Sequence, residues 1–211
     1  FAQLTKSPNN AHKNTSRVKR NMVYGILIHS LEDSQLYFSL YYTKEGNDSQ
    51  KTIRTQSLLR KILEDHIFAK QSAKELQEIE KDRNLNEVIF SSNILRSELP
   101  ASSTLKPTAM EQGEGIFYVE ESSLFESGKI VIWRQLKGYA FSLICENDEN
   151  ILLASNCLSI LFTFPDNVQK LIENPDYVLL VLSHLLPNGT LIFLPTSLVK
   201  HLKAQIKAAS Q

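Results

Sequence analysis

The sequence predicts an α+β domain: about five antiparallel strands in one sheet, flanked by helices, in the order ββαβββαα. The prediction starts from residues 129–164. Lys129 to Leu136 alternates with a period of two, placing Ile130, Ile132 and Leu136 on one face and Val131 and Trp133 on the other. After a Lys137-Gly138 corner, Tyr139 to Cys145 repeats the pattern, with Tyr139, Phe141, Leu143 and Cys145 opposite Ala140, Ser142 and Ile144. Both runs are rich in β-branched and aromatic residues, which reads as a hairpin. Beyond the polar stretch Asn147-Asp148-Glu149-Asn150 the period lengthens, and Leu153, Cys157, Ile160, Leu161 and Phe164 fall on one helical stripe. A hairpin that feeds a helix across its own face is a nucleus on which the other elements can pack.

Residues 1–21 are polar and basic, lack apolar periodicity and lack the apolar core of a signal peptide. They are expected to be a disordered basic leader outside the native protein, with Met22 as the true start; the alternative is a disordered basic arm. Residues 22–211 are then one domain. Met22 to Leu31 is a nearly continuous apolar run, the pattern of a strand covered on both faces. Glu32 to Gln35 is a turn, and Leu36 to Thr43 is a second strand that closes an N-terminal hairpin. Thr55 to about Arg83 is helical, with Leu59, Ile62, Leu63, Ile67, Leu76 and Ile79 as the buried stripe and polar last turns that protrude.

Asn84 to Gly115 has weak periodicity, Pro100, Pro107 and a Ser102-Ser103-Thr104 cluster, and is expected to be a surface insertion with a short element near Val88 to Leu95. Ile116 to Glu120 is a short strand before the central hairpin. The helix at about Ile151–Phe164 is broken by Pro165-Asp166, with Val168 to Ile172 prolonging the helical region. Pro175-Asp176 starts a helix at about Tyr177–Leu186, Pro187-Asn188-Gly189 is a turn, and Thr190 to Leu194 is a short extended run. A last amphipathic helix runs through Leu198, Leu202, Ile206 and Ala209. No repeat of the length seen in solenoids is visible.

With 211 residues the chain can bury a sizeable core without staples. Its 23 basic and 23 acidic residues balance, which argues against nucleic acid held by a broad basic surface. Five of the basic residues lie in residues 1–21; that leaves 18 against 23 acidic residues, a net of −5, for residues 22–211, a poor surface for unaided binding to anionic lipid. Cys145 and Cys157 occupy a strand and a helix stripe as small hydrophobes, free thiols of a reducing compartment. No apolar run is long enough to span a membrane as a helix.

Signatures of chemistry are sparse. His12, His29, His66, His184 and His201 show no metal-ligand spacing; His29 and His184 read as core or surface residues, and His66 and His201 as solvated. No phosphate-cradling glycine loop and no nucleophile elbow occurs. The pairs Asp148/Glu149 and Glu120/Glu121 fall in turns and read as solvated. Trp133 reads as hairpin core. The sequons at Asn14, Asn47 and Asn188 matter only in a secreted protein. No catalytic, cofactor-binding or metal site is assigned, and the reading is of a chain that is not an enzyme.

The order ββαβββαα beginning at a methionine, the opening run MVYGILIHSL (Met22–Leu31), the paired strands and acidic/Asn turn of Lys129–Ala154, and the Leu-Pro-x-Gly-x-Leu-x-Phe-Leu stretch of Leu186–Leu194 together resemble the small sigma subunits of adaptor complexes. These have a longin-like (SNARE-like) fold, and the likeness is to the branch that serves adaptor protein complex 5. The resemblance implies a scaffold role in a heterotetramer with two large adaptin subunits and one medium subunit. It implies clathrin-independent retrieval from late endosomes to the Golgi, alongside spatacsin and spastizin. It also implies a cytoplasmic protein, peripheral on late endosome and lysosome membranes through indirect contact. Tyr24, Tyr37, Tyr41, Tyr42 and Phe68 exceed what a two-layer domain can cover, which fits an obligate interface. A free-standing longin module of a tethering or GTPase-regulating assembly is the competing reading, and a small enzyme with a deep polar pocket is the third.

Overall fold

The computed structural model describes residues 22–91, 113–164 and 168–209, with side chains of the first helix described as far as Ile79. The expected leader, most of the expected insertion and the Pro165-Asp166 break lie outside the described residues. Five strands form one antiparallel sheet: β1 (Val23–Ser30), β2 (Leu36–Tyr41), β3 (Glu114–Val119), β4 (Lys129–Leu136) and β5 (Tyr139–Glu146), in the spatial order β2-β1-β5-β4-β3. This is the α+β, longin-like arrangement expected of the sequence. All eight residues of β1 are buried, as its unbroken apolar run requires of a strand with neighbours at both edges and helices on both faces. The β4–β5 hairpin turns on Lys137 (φ 52°) and Gly138 (φ 81°), two successive left-handed residues whose twist matches that of the strands they join.

Alternation sorts the sheet into two cores. Val23, Ile26, Ile28, Ile132, Phe141, Leu143 and Cys145 face one side, and Tyr24, Leu27, Val131, Trp133, Ala140 and Ile144 face the other. A register shift against β5 between Val23 and Gly25 switches the parity of β1, so Val23 and Tyr24 take their places without breaking the pattern further along. The first core is roofed by α2 (Ile151–Leu161), α3 (Gln169–Glu173), α4 (Pro175–Leu185) and α5 (Thr196–Ala209). The second is roofed by α1 (Lys51–Ser91) through Leu58, Leu59 and Ile62.

Three layers rather than two alter the count of uncovered aromatics. Tyr24 and Tyr41 are buried, Tyr37 and Tyr42 are half-buried, and only Phe68 of the five stands in solvent. The first helix is also longer than expected at both ends, so residues 84–91 of the expected insertion are helical. No Gly or Pro interrupts Lys51 to Ser91, and weak apolar periodicity does not stop a helix built of good helix formers. Its buried stripe ends early. Ile67, Leu76 and Ile79 are exposed (46, 62 and 53 %), because the helix has run past the sheet: its outermost described contacts with the strands are Asp65 and His66 beside Trp133.

The polar stretch before α2 works as a cap: Asn150 Oδ1 accepts from the Leu153 amide at 3.0 Å. Asn174 caps α4 in the same way from Tyr177 at 2.9 Å, with Pro175 in the first turn. The α2 helix stops at Leu161, and Phe164 is reached through tighter turns in which Thr163 N bonds Ile160 O and Phe164 N bonds Leu161 O. Residues 169–173 form a separate short helix rather than an extension of α2. Thr190 to Leu194 joins no strand; it is an irregular segment that buries Leu191 and Leu194. The inner stripe of α5 is Val199, Leu202 and Ile206, with Leu198 turned outward (39 % exposed).

Candidate functional site

The residue types that usually carry chemistry are dispersed. Cys145 and Cys157 are free and buried; burial pushes the Cys145 thiol far up and the Cys157 thiol up to about 12, so neither is a thiolate at neutral pH. His29 is fully buried and Nδ1 bonds the Ser30 carbonyl at 2.8 Å, which leaves Nε2 as a bare acceptor with no partner among the described residues. His66, expected to be solvated, is half-buried edge-on against Trp133, with ring centroids 5.6 Å apart. His201 is exposed as expected. His184 bonds the Leu180 carbonyl through Nδ1 at 2.8 Å and, with Leu180, Gln205, Ile206 and Ala208, lines a concavity of about 550 Å³, where it is the one titratable group among the described residues. Glu149, expected in solvent, is buried, and Oε1 accepts from the Asn150 amide at 3.0 Å. Trp133 is core, as expected, and donates Nε1–H to Asp65 at 2.7 Å. Among the described residues no three His, Cys, Asp or Glu side chains are grouped to hold a metal ion.

One polar constellation does converge, and sequence reasoning passed it by. Lys129, wholly buried at the start of β4, donates to Ser127 Oγ (2.7 Å) and Ser127 O (3.1 Å) and lies 3.2 Å from Glu146 Oε2 and 3.4 Å from Glu45 Oε2. Its ammonium also sits 4.8 Å from the centre of the Tyr24 ring. A few residues away Arg54, 2 % exposed, forks onto both Asp48 oxygens at 3.0 and 3.1 Å and donates to the carbonyls of Glu45 (2.7 Å) and Leu124 (2.6 Å). Glu45 accepts from the Glu126 amide at 2.8 Å. The two cations therefore stitch the turn before α1, the first turn of α1, the loop before β4 and the end of β5 into one corner.

The signal for this corner was periodic. Lys129 continues the Val131–Trp133 face of β4, and Arg54 continues the Leu58–Ile62 stripe of α1. A charge in register with a buried face has to be paired. Both cations are paired within the fold, and the Tyr24 hydroxyl beside them is buried with no hydrogen-bond partner among the described residues, so the corner reads as a structural lock.

What the fold leaves open is apolar. Ile116 and Tyr118 (both 54 % exposed) lie on the edge strand β3, Leu152 (83 %) at the start of α2, Phe193 (75 %) before α5, and Phe68 and Leu76 (69 and 62 %) in the middle of α1. Such surface on a folded domain is the raw material of protein–protein contact. A family model described as AP-5 complex subunit sigma-1 matches residues 22–207. The chain belongs to this family. Human AP-5 complex subunit sigma-1 is 27% identical over 117 residues, which is 52% of this chain and 58% of the human protein, so the chain spans rather more than half the length of that relative. The family is one of adaptor-complex small subunits.

Proposed function

We propose that the protein is a non-catalytic small (sigma) subunit of the heterotetrameric adaptor protein complex 5. In this reading it assembles with two large adaptin subunits and one medium subunit, meets spatacsin and spastizin through the complex, and scaffolds clathrin-independent retrieval from late endosomes to the Golgi. It is cytoplasmic, and peripheral on late endosome and lysosome membranes by way of its partners. The observation that carries this reading is the family match over residues 22–207. Three others support it: the exposed apolar side chains, the net negative charge of residues 22–211, and the fact that no described helix is long and apolar enough to cross a membrane.

The test is affinity purification of a tagged full-length chain from cells, with mass spectrometry of the recovered proteins. Two large adaptins and one medium subunit in near-equal amounts are the expected result. Recovery of a GTPase or a tethering factor in their place favours the free-standing longin module and overturns the proposal.

A further inference from the structure

Residues 68–79 of α1 have an amphipathic pattern with nothing described beneath it. Phe68, Ser72, Leu76 and Ile79 recur at spacings of four, four and three, so they share one stripe, and Ala69 and Ala73 widen it on one side. Phe68, Leu76 and Ile79 are 69, 62 and 53 % exposed. Leu76, five full turns beyond Leu58, continues the body-facing direction past the sheet, while Phe68 and Ile79 lie to one side of it, so the exposed stripe is broader than the contact made by Leu58 and Ile62. Large side chains at its two ends with small ones between them form a hollow that admits another helix closely, whereas an extended strand would find no backbone partners there. Helices take most of their stability from packing an apolar face, and this stretch has no such packing among the described residues.

Charge and size narrow the occupant. Glu75 borders the stripe with Glu78 behind it, and neither carboxylate has an ion-pair partner among the described residues; Lys70 and Lys74 lie on the back of the helix. An antiparallel second copy would set the Glu75 rim against itself. A helix with a basic rim would pair with it. From Phe68 to Ile79 the stripe is about 16 Å long, too short to bury the roughly 1,200 Å² that holds a stable complex alone. It therefore suits a partner already held by the rest of the domain.

We infer that residues 68–79 of α1 are a docking arm for an amphipathic helix with a basic rim, carried by another subunit of the same complex. The inference rests on the adaptor reading above. The test reconstitutes the full-length chain with the two large adaptins and the medium subunit. Hydrogen exchange of residues 67–79 is compared in the chain alone and in the complex, and the affinity of the chain for the other subunits is measured for the F68E/L76E double variant, Glu75→Lys and, on the back of the helix, Lys74→Glu.

The expected result is at least tenfold slower exchange in the complex, at least tenfold weaker affinity for F68E/L76E, a severalfold loss for Glu75→Lys and no change for Lys74→Glu. Circular dichroism of the variants should match the wild type, since all four positions are on a solvent-facing helix surface. A complex that forms with exchange of residues 67–79 unchanged and F68E/L76E as tight as wild type overturns the docking arm and leaves the adaptor reading standing. A chain that joins none of the subunits overturns both. A wild-type dimer in sedimentation that F68E/L76E dissolves overturns the inference in favour of a second copy.

Discussion

Replacing Lys129 with Met removes one buried cation and leaves two carboxylates facing each other. Glu45 and Glu146 are 11 and 13 % exposed, so each loses its counter-ion at a place where water can only partly replace it. Breaking a buried ion pair by deleting one partner costs about 3–5 kcal/mol. Two features reduce that figure here. Glu146 keeps the Ser127 hydroxyl at 2.9 Å and Glu45 keeps the Glu126 amide at 2.8 Å, and Met refills most of the lysine stem. The expected loss is about 2–4 kcal/mol. With a urea m-value of about 2 kcal/mol/M, the unfolding midpoint falls by about 1–2 M.

Glu146→Gln should cost about half as much, because Lys129 retains Glu45 at 3.4 Å and both Ser127 oxygens. The triple variant Lys129→Met, Glu45→Gln, Glu146→Gln should recover most of the loss, since a fully neutral corner has no uncompensated charge to bury. Equilibrium urea unfolding followed by tryptophan fluorescence reports all three, Trp133 being the chain's sole tryptophan. A Lys129→Met protein within about 0.5 kcal/mol of wild type would refute the argument, because Lys129 would then add nothing to the corner that solvent or Met does not supply.

Burial lowers the pKa of His29, and of His66 with help from Lys70, below the unfolded value near 6.5, so the folded state resists protons that the unfolded chain accepts. Stability should therefore be level above about pH 6.5 and fall below it, with a slope approaching about 1.4 kcal/mol per pH unit from the fully buried His29 and a smaller part from the half-exposed His66, where solvent screens the effect; His29→Gln should flatten the slope in pH-series urea titrations, and an unchanged slope counts against His29 as its source. Native Cys145 and Cys157 should react with a thiol-specific disulfide reagent at pH 8 about 10³-fold more slowly than in the urea-unfolded chain, as burial raises both thiols; equal rates would show that both sites open freely. Asp65→Ala should lower stability by about 1–2 kcal/mol by orphaning the Trp133 indole N–H, with no comparable loss in an Asp65→Ala, Trp133→Phe pair beyond that of Trp133→Phe alone.

Period and punctuation in the chain determined the strands, the hairpin and the helix caps. Alternation in 129–145 fixes which side chains share a face whatever packs on it, and Asn150 caps α2 through an amide three residues away. Local signals of this kind survive any tertiary environment. The element order, the opening run and the stretches 129–154 and 186–194 together also revealed the family likeness. The tertiary structure alone decided what covers each face. The α1 helix runs on past the sheet edge, so Leu76 and Ile79, in register with a plausible core stripe, face solvent while Leu58 and Ile62 do not. The same long-range packing brought Glu45, Arg54, Lys129 and Glu146 together from four separate elements. Their pairing depends on distances across the fold that no local pattern encodes, although the two cations lay in register with buried faces where an unpaired charge would not be tolerated.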